Sequence, residues 1–440
     1  MTRVVFGDLK NGMRYYAQEN RSNHVSGIGI RCGSIYDPQN FSGLAHVVEH
    51  LKAKRSSRNT PQSFNLMVLR HCGGYDGDIN IRVKRASTFL GHRDLRYRRE
   101  MDAMFDALAW NVKDNMLKEG DFETERAAIH QEFYLTGIDR MVDLVNDMLH
   151  WEMYDKNPAR RRVDCQLDHL EHGQLAQVRQ FIRRYYVPKN MFVLMFGPSL
   201  EDVGEIARRY FEDWGKPTTP ILDYDGSDNF PKLNGVKSKE ITVPGIGQYH
   251  YAIGFPTEPY GSSDDEALDV LAAIWSHMAF DALRECNATF GKGTYRTPAD
   301  TERTFCNGMI SLSFATTDKE YQAEGEQKVI GLCKELREKL VPGDLLSAAL
   351  EWQRNQHALA FFQYPEILAE KVIDAACNGD PDLTDLHLVN KRLQKLSRRD
   401  IRDVANKYFT KGHVRILIKP DRNSNRHGKI YYSGNGKKRL

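Results

Sequence analysis

Hydrophobic and polar positions along the 440-residue chain fall into two copies of one plan. HVSGIGIRCGS, from His24, and QYHYAIGFPTE, from Gln248, alternate apolar positions with a period of two, the pattern of strands. A helical period follows each, in GLAHVVEHL (43–51) and in EALDVLAAIW (266–275). Later in each half an amphipathic helix runs into a buried strand, LAQVRQFIRRYYVPKNMFVLMFG in the first and LSRRDIRDVANKYFTKGHVRILIKP in the second. A single shift of 223 residues places Val178 on Ile401, Tyr185 on Tyr408, Val193 on Ile416 and Met195 on Ile418. Duplication of one α+β domain explains this better than two unrelated domains. Between the copies, residues 215–240 are rich in Pro, Gly, Asp and Lys, lack a sustained period, and read as a linker. The expected organisation is a first domain over 1–214, a linker over 215–240 and a homologous domain over 241–440, a length that suits two cores.

Composition narrows the class. Hydrophobic residues make up 41% and charged residues 28%, the balance of a soluble globular protein. A net charge of +3 nominates no nucleic-acid partner. No apolar run approaches the roughly 20 residues that cross a bilayer, so no membrane partner is expected. The start, MTRVVFGDLKNGMRYY, has neither a signal-length apolar run nor a small-residue cleavage site. The seven cysteines are scattered, with no CxxC pair, as in a reducing compartment. Both point to the cytoplasm. There is no Walker loop and no GxGxxG, so a nucleotide cofactor is not expected. The basic clusters at Arg93 to Arg99 and at Arg160 to Arg162 read as solvated, and the polar tail from Asp421 as a frayed terminus.

The candidate chemistry lies in GLAHVVEHL. Leu44, Val47, Val48 and Leu51 form one helical stripe, and His46, Glu49 and His50 share another face. Two imidazoles one turn apart can both reach a metal ion, and a glutamate between them can take a proton from water that the metal acidifies. HxxEH is the inverted form of the HExxH zinc-protease signature. A core helix carrying histidines by chance accounts for neither the shared face nor the intervening acid. Under the 223-residue shift His46, Glu49 and His50 fall on Asp269, Ala272 and Ala273, so this chemistry belongs to the first half alone. A catalytic zinc wants a third protein ligand and an open position. In FETERAAIHQEF (122–133), Phe122, Ile129 and Phe133 form an apolar stripe. Glu125 and Glu132 lie on one face, roughly 10 Å apart along the helix, with at least one acid drawn toward the core. Taken alone, Glu125 reads rather as a solvated helix acid and Glu132 as a partner of Arg126 or another base.

With these motifs, the chain resembles the pitrilysin family of zinc peptidases, which includes insulysin and the mitochondrial processing peptidase. The likeness runs through LKNGMRYYAQEN, RCGSIYDP, SGLAHVVEHL, the CGGY turn at 72–75, FETERAAIHQE and YYVPKNMFVLMFG, and in the second half through AFDALRECNATFGKGTY. It implies zinc bound by His46, His50 and Glu132, with Glu49 as general base and Glu125 as a nearby helper carboxylate. It also implies that Arg284 and Tyr295 hold the substrate backbone and polarise the scissile carbonyl. The implied fold is two homologous α+β domains, each a mostly antiparallel sheet with helices packed on one side, together half of a clamshell. The implied partners are a peptide or unfolded polypeptide and either a second copy or a related subunit. Departures from the family pattern fall around the site. LKAKRSSRNT replaces the usual residues after the zinc helix, and Asp76-Gly77-Asp78-Ile79 stands where many members have Asn-Ala-x-Thr. An acid at Asp76 is expected to alter which peptides are accepted. The expected function is a zinc endopeptidase. Its rivals are a non-catalytic scaffold or partner subunit and a purely structural zinc site.

Overall fold

The computed structural model describes residues 4–19, 25–54, 66, 79–93, 98–114, 116–135, 137–155, 157–197, 203–215, 231, 233–290, 299–304, 307–362, 371–373, 375, 386–409 and 412–421. Strands β1 (Val4–Asp8), β2 (Arg14–Glu19), β3 (Val25–Ile30), β4 (Ile79–Val83), β5 (Thr88–Arg93) and β6 (Met191–Gly197) form a sheet in the order β1-β2-β6-β3-β5-β4. Strands β7 (Val236–Pro244), β8 (Tyr249–Pro256), β9 (Ala299–Thr304), β10 (Asn307–Thr316) and β11 (His413–Asp421) form a second, in the order β7-β11-β8-β10-β9. With β1 set aside, the two orders correspond strand for strand. Each contains one parallel pair, β2 with β6 and β7 with β11, and is otherwise antiparallel. The repeat seen in the apolar pattern is therefore a repeat of topology.

The helices are α1 (Leu44–Lys54), α2 (Arg98–Lys113), α3 (Glu119–Leu135), α4 (Gly137–Met153), α5 (Leu167–His172), α6 (Leu175–Tyr185), α7 (Val203–Phe211), α8 (Asp265–Arg284), α9 (Lys319–Glu338), α10 (Gly343–Phe362), α11 (Leu386–Leu393) and α12 (Arg398–Phe409). Packing divides the chain into two compact units, neither continuous in sequence. One comprises Met1–Phe133, Arg161–Tyr224 and Gln356–Thr384; the other comprises Tyr134–Arg160, Asp225–Asn355 and Asp385–Leu440. Helix α4 comes from the first half of the sequence but packs in the second unit.

This exchange explains a departure from the strand pattern. Alternation predicts one buried and one exposed face, yet β3 and β8 are buried at every position. In the second unit Tyr251, Ile253, Phe255, Ile310, Leu312 and Phe314 face a core shared with α8, α9 and α12. Ala252, Met309, Val414, Ile416 and Ile418, on the other face, pack against Met141, Val145, Met148 and Leu149 of α4. In the first unit Ile373 presses on β3 at Gly29, where a Cβ would lie 2.5 Å from its Cγ1. Strand β7 begins at Val236, inside the segment read as a linker. As an edge strand, exposed along most of its length, it carries the polar composition that hid it. Residues 216–230 and 232 of that segment, and the tail from 422, lie outside the described residues.

Candidate metal centre

The site is built on α1. Leu44, Val47, Val48 and Leu51 are buried, as their spacing predicts, and each contributes roughly 1.5–3 kcal/mol by leaving water. The helix starts at a residue that only glycine can supply. Gly43 has φ +91°, and a Cβ on it would lie 2.2 Å from Cα of Cys165. Gly43 has no side chain to cap the first turn, so the cap comes from six residues upstream. The N–H of Gly43 donates to Asp37 Oδ2 at 2.6 Å, and the N–H of Ala45 donates to Oδ1 at 2.8 Å. Burial pushes the Asp37 carboxyl up to about 8, against the pull of those amides and of the Arg161 guanidinium. Two further contacts hold the same turn. The Cys165 thiol donates to the Gly43 carbonyl at 3.0 Å, and the Ser42 N–H donates to His169 Nδ1 at 3.0 Å. Near the other end of α1, the buried Lys52 ammonium donates to the carbonyl of Asp114.

From this anchored helix His46, Glu49 and His50 converge. The two Nε2 atoms are 3.2 Å apart. Glu132 Oε2, from the last turn of α3, lies 3.4 Å from His50 Nε2 and 3.8 Å from His46 Nε2. Donor atoms bound tetrahedrally to zinc at about 2.0–2.1 Å sit about 3.3–3.4 Å from one another, so these three atoms fit that ion. Glu49 Oε2 lies 3.9 Å from His46 Nε2 and 3.8 Å from His50 Nε2, beside the triangle. Glu125, buried one helical stretch before Glu132, brings Oε2 to 3.2 Å from His50 Nδ1, the nitrogen that faces away from the triangle. His46 has no such support. Its Nδ1 is buried and, among the described residues, without a hydrogen-bond partner. Burial and the neighbouring His50 charge lower His46 to about 4. Burial lowers His50 as well, but the Glu125, Glu132 and Glu49 carboxylates outweigh it and hold His50 up to about 9. Of the two candidate acids on α3, Glu125 is the one drawn inward, while Glu132 keeps its side chain 55% exposed at the open side of the cluster. Arg126 pairs with Glu123 and with the Glu171 carbonyl.

The matching position of the second unit carries different chemistry. Asp269, the counterpart of His46, accepts from Thr301 Oγ1 at 2.7 Å and, with Asp265, pairs with the buried Arg303 guanidinium. A salt-bridged knot of charge stands where the first unit gathers its imidazoles.

The remaining candidates are placed less closely. Arg284 ends α8, exposed, with its guanidinium 5.4 Å from the Phe280 ring centroid. Tyr295, Asp76, the CGGY turn and His71 lie outside the described residues. Two residues of the site are marked by neither helical spacing nor charge pattern. Asp37 has no helical spacing to the motif, and Arg161 sits in a basic run that reads as solvated. Arg161 instead donates to the Ile35 carbonyl at 2.5 Å and puts its charge beside Asp37.

A zinc-type donor triangle on the first of two repeated α+β units defines a class of protein, and comparison with known proteins agrees. Residues 15–166 match the family described as Insulinase (Peptidase family M16), and residues 174–342 match Peptidase M16 inactive domain. The chain belongs to the M16, or pitrilysin, family of peptidases. It is 23% identical to the zinc protease PqqE of Helicobacter pylori, over 94% of this chain and 92% of that protein. It is 25% identical to the mitochondrial-processing peptidase subunit alpha of Rattus norvegicus, over 48% of this chain and 40% of that one. Among solved structures, a protease from Helicobacter pylori aligns with a TM-score of 0.81 and 18% identity, over 96% of this chain and all of that one. A peptidase M16 inactive domain from Pseudomonas fluorescens aligns with a TM-score of 0.78 and 14% identity, over 95% and 98%. At these identities the structural likeness speaks for the fold.

Proposed function

We propose that the chain is a zinc-dependent endopeptidase acting on peptides or unfolded polypeptide segments. The observation that carries this reading is the convergence of His46 Nε2, His50 Nε2 and Glu132 Oε2 within 3.2–3.8 Å of one another, with the Glu49 carboxylate beside them. These three residues would hold the ion, and three protein ligands leave a tetrahedral ion one open position, as catalytic sites require. Zinc held there supplies Lewis acidity toward water and toward a peptide carbonyl. Glu49 Oε2 takes the proton of the attacking water and passes it to the leaving amine nitrogen. Glu125 fixes the tautomer and ring orientation of His50 through Nδ1. In the same reading Arg284 and Tyr295 grip the substrate backbone, and Asp76 shifts peptide preference away from acidic segments. The names of the mitochondrial and Helicobacter relatives support a peptidase, and the mitochondrial name, which is that of a subunit, supports one that works with a second copy or a related subunit. The buried free thiols Cys32, Cys165, Cys286 and Cys333 agree with a cytoplasmic setting.

The test is cleavage of a random peptide library by the purified chain, with zinc content measured in parallel. The expected result is about one zinc per chain and cleavage that a chelator abolishes and zinc restores. Glu49→Gln should keep the zinc and lose cleavage by roughly 10²–10⁴-fold. Full zinc without cleavage of any unstructured peptide would favour a non-catalytic partner subunit. A chain that takes up no zinc would overturn the site itself.

A further inference from the structure

The two histidines of the motif are oriented by different means. His50 is held from behind by the Glu125 carboxylate at Nδ1. His46 Nδ1 is buried with no hydrogen-bond partner among the described residues, so no contact at that nitrogen fixes where Nε2 points. Its direction is set by the backbone that carries it, and His46 is the residue after Ala45. The N–H of Ala45 is bonded to Asp37 Oδ1, and that of Gly43 to Oδ2. Asp37 is buried in this arrangement. Ser42, the local hydroxyl that could cap the helix, has its Oγ buried and, among the described residues, without a partner.

We infer that Asp37 is a positioning residue of the metal centre, fixing His46 through the first turn of α1 as Glu125 fixes His50 through its ring. The inference rests on the zinc reading above. Its physical content is rotational. A carboxyl group whose two oxygens hold two amides of one turn, at 2.6 and 2.8 Å, fixes the phase of the helix about its axis as well as its tilt. A single cap bond restrains that rotation less. At the His46 side chain, a small error in phase carries Nε2 off the triangle it forms with His50 and Glu132. Gly43 serves the same end, because its left-handed φ turns both amides toward Asp37 while Cys165 fills the space a side chain would occupy. Other outer residues of metal sites act through a ligand's second nitrogen; here the same service reaches the ligand through two peptide amides.

The experiment compares the wild-type chain with Asp37→Asn and Asp37→Ser. Zinc affinity is measured by competition with a chromogenic chelator, and geometry by the visible absorption of the cobalt-substituted chain, whose intensity reports tetrahedral coordination. Asp37→Asn is expected to stay folded, to bind zinc roughly 10–100-fold more weakly and to lose cobalt absorption intensity. Asp37→Ser, whose hydroxyl is one atom shorter and reaches at most one amide, should lose at least as much as Asp37→Asn. Zinc affinity and cobalt spectrum both unchanged in Asp37→Asn would overturn the inference and leave the zinc reading standing. A wild-type chain that binds no zinc overturns both. Should neither variant fold, hydrogen exchange on the metal-free wild-type chain decides. The amides of Gly43 and Ala45 should exchange as slowly without zinc as with it, whereas fast exchange until zinc is added would mean that the metal, not Asp37, organises the turn.

Discussion

Glu125 Oε2 lies 3.2 Å from His50 Nδ1, while the corresponding nitrogen of His46, one turn earlier on the same helix, has no partner among the described residues. One histidine is therefore supported at its ring by a carboxylate, and the other is not. Glu125→Gln keeps the shape and an acceptor oxygen but removes the charge. It should weaken zinc binding roughly 10–100-fold, with cleavage falling in step and the fold intact. Calorimetric zinc titration of the folded variant checks this, and an affinity equal to wild type would show the contact to be incidental.

Gly43→Ala tests whether α1 depends on the close approach of Cys165. Left-handed backbone costs an L-residue about 1–2 kcal/mol, and the overpacking adds about 1–3 kcal/mol. The added methyl meets backbone, 2.2 Å from Cys165 Cα, so no rotamer relieves it. A loss of about 2–5 kcal/mol in denaturant unfolding of the first unit is expected, together with loss of zinc. Wild-type stability with full zinc would count against the described packing.

In the second unit, Arg303→Met leaves Asp265 and Asp269 without their shared cation. Removing one partner of a buried pair costs roughly 3–5 kcal/mol; Asp269, 28% exposed, takes this toward the lower end. The variant should gain stability on mild acidification relative to its value at neutral pH. Burial, opposed by Arg303, already holds Asp265 up to about 6, and without the guanidinium both carboxyls protonate more readily. Zinc content should not change. Thermal unfolding at two pH values is the measurement, and a variant as stable as wild type at neutral pH would contradict the pairing.

His250 supplies a pH dependence far from His46, His50 and Glu132 in sequence. Burial in β8 lowers it to about 4, against an ordinary value of 6.5. Its contribution to stability is complete above 6.5. As the pH falls from 6.5 toward 4, the unfolded chain takes up a proton that the folded chain refuses, so stability is lost, about 3 kcal/mol by pH 4. His250→Leu should flatten this part of the stability curve. Denaturant unfolding between pH 7 and 4 that shows the same acid slope in both proteins would rule the residue out as the source.

Much of the site was legible because helical spacing is local. Leu44, Val47, Val48 and Leu51 had to share a buried stripe, which left His46, Glu49 and His50 on another face, and Glu125 and Glu132 had to share a side of their own helix. The 223-residue repeat likewise foretold the strand-for-strand match of the two sheets, because both copies of a duplicated chain keep the order in which strands pair. What periodicity states is which face of an element is apolar. It does not state what covers that face, so the placement of α4 on the second sheet, and the burial of β3 and β8 on both sides, came only with the tertiary structure. The same limit separates the two acids of α3: sequence put them on one side, and packing sent Glu125 to His50 Nδ1 and left Glu132 at the open triangle. Asp37 lies further still from anything local. Its grip on the amides of Gly43 and Ala45 is made by a turn of chain, a left-handed glycine and a cysteine about 120 residues later, and only three-dimensional packing brings those together.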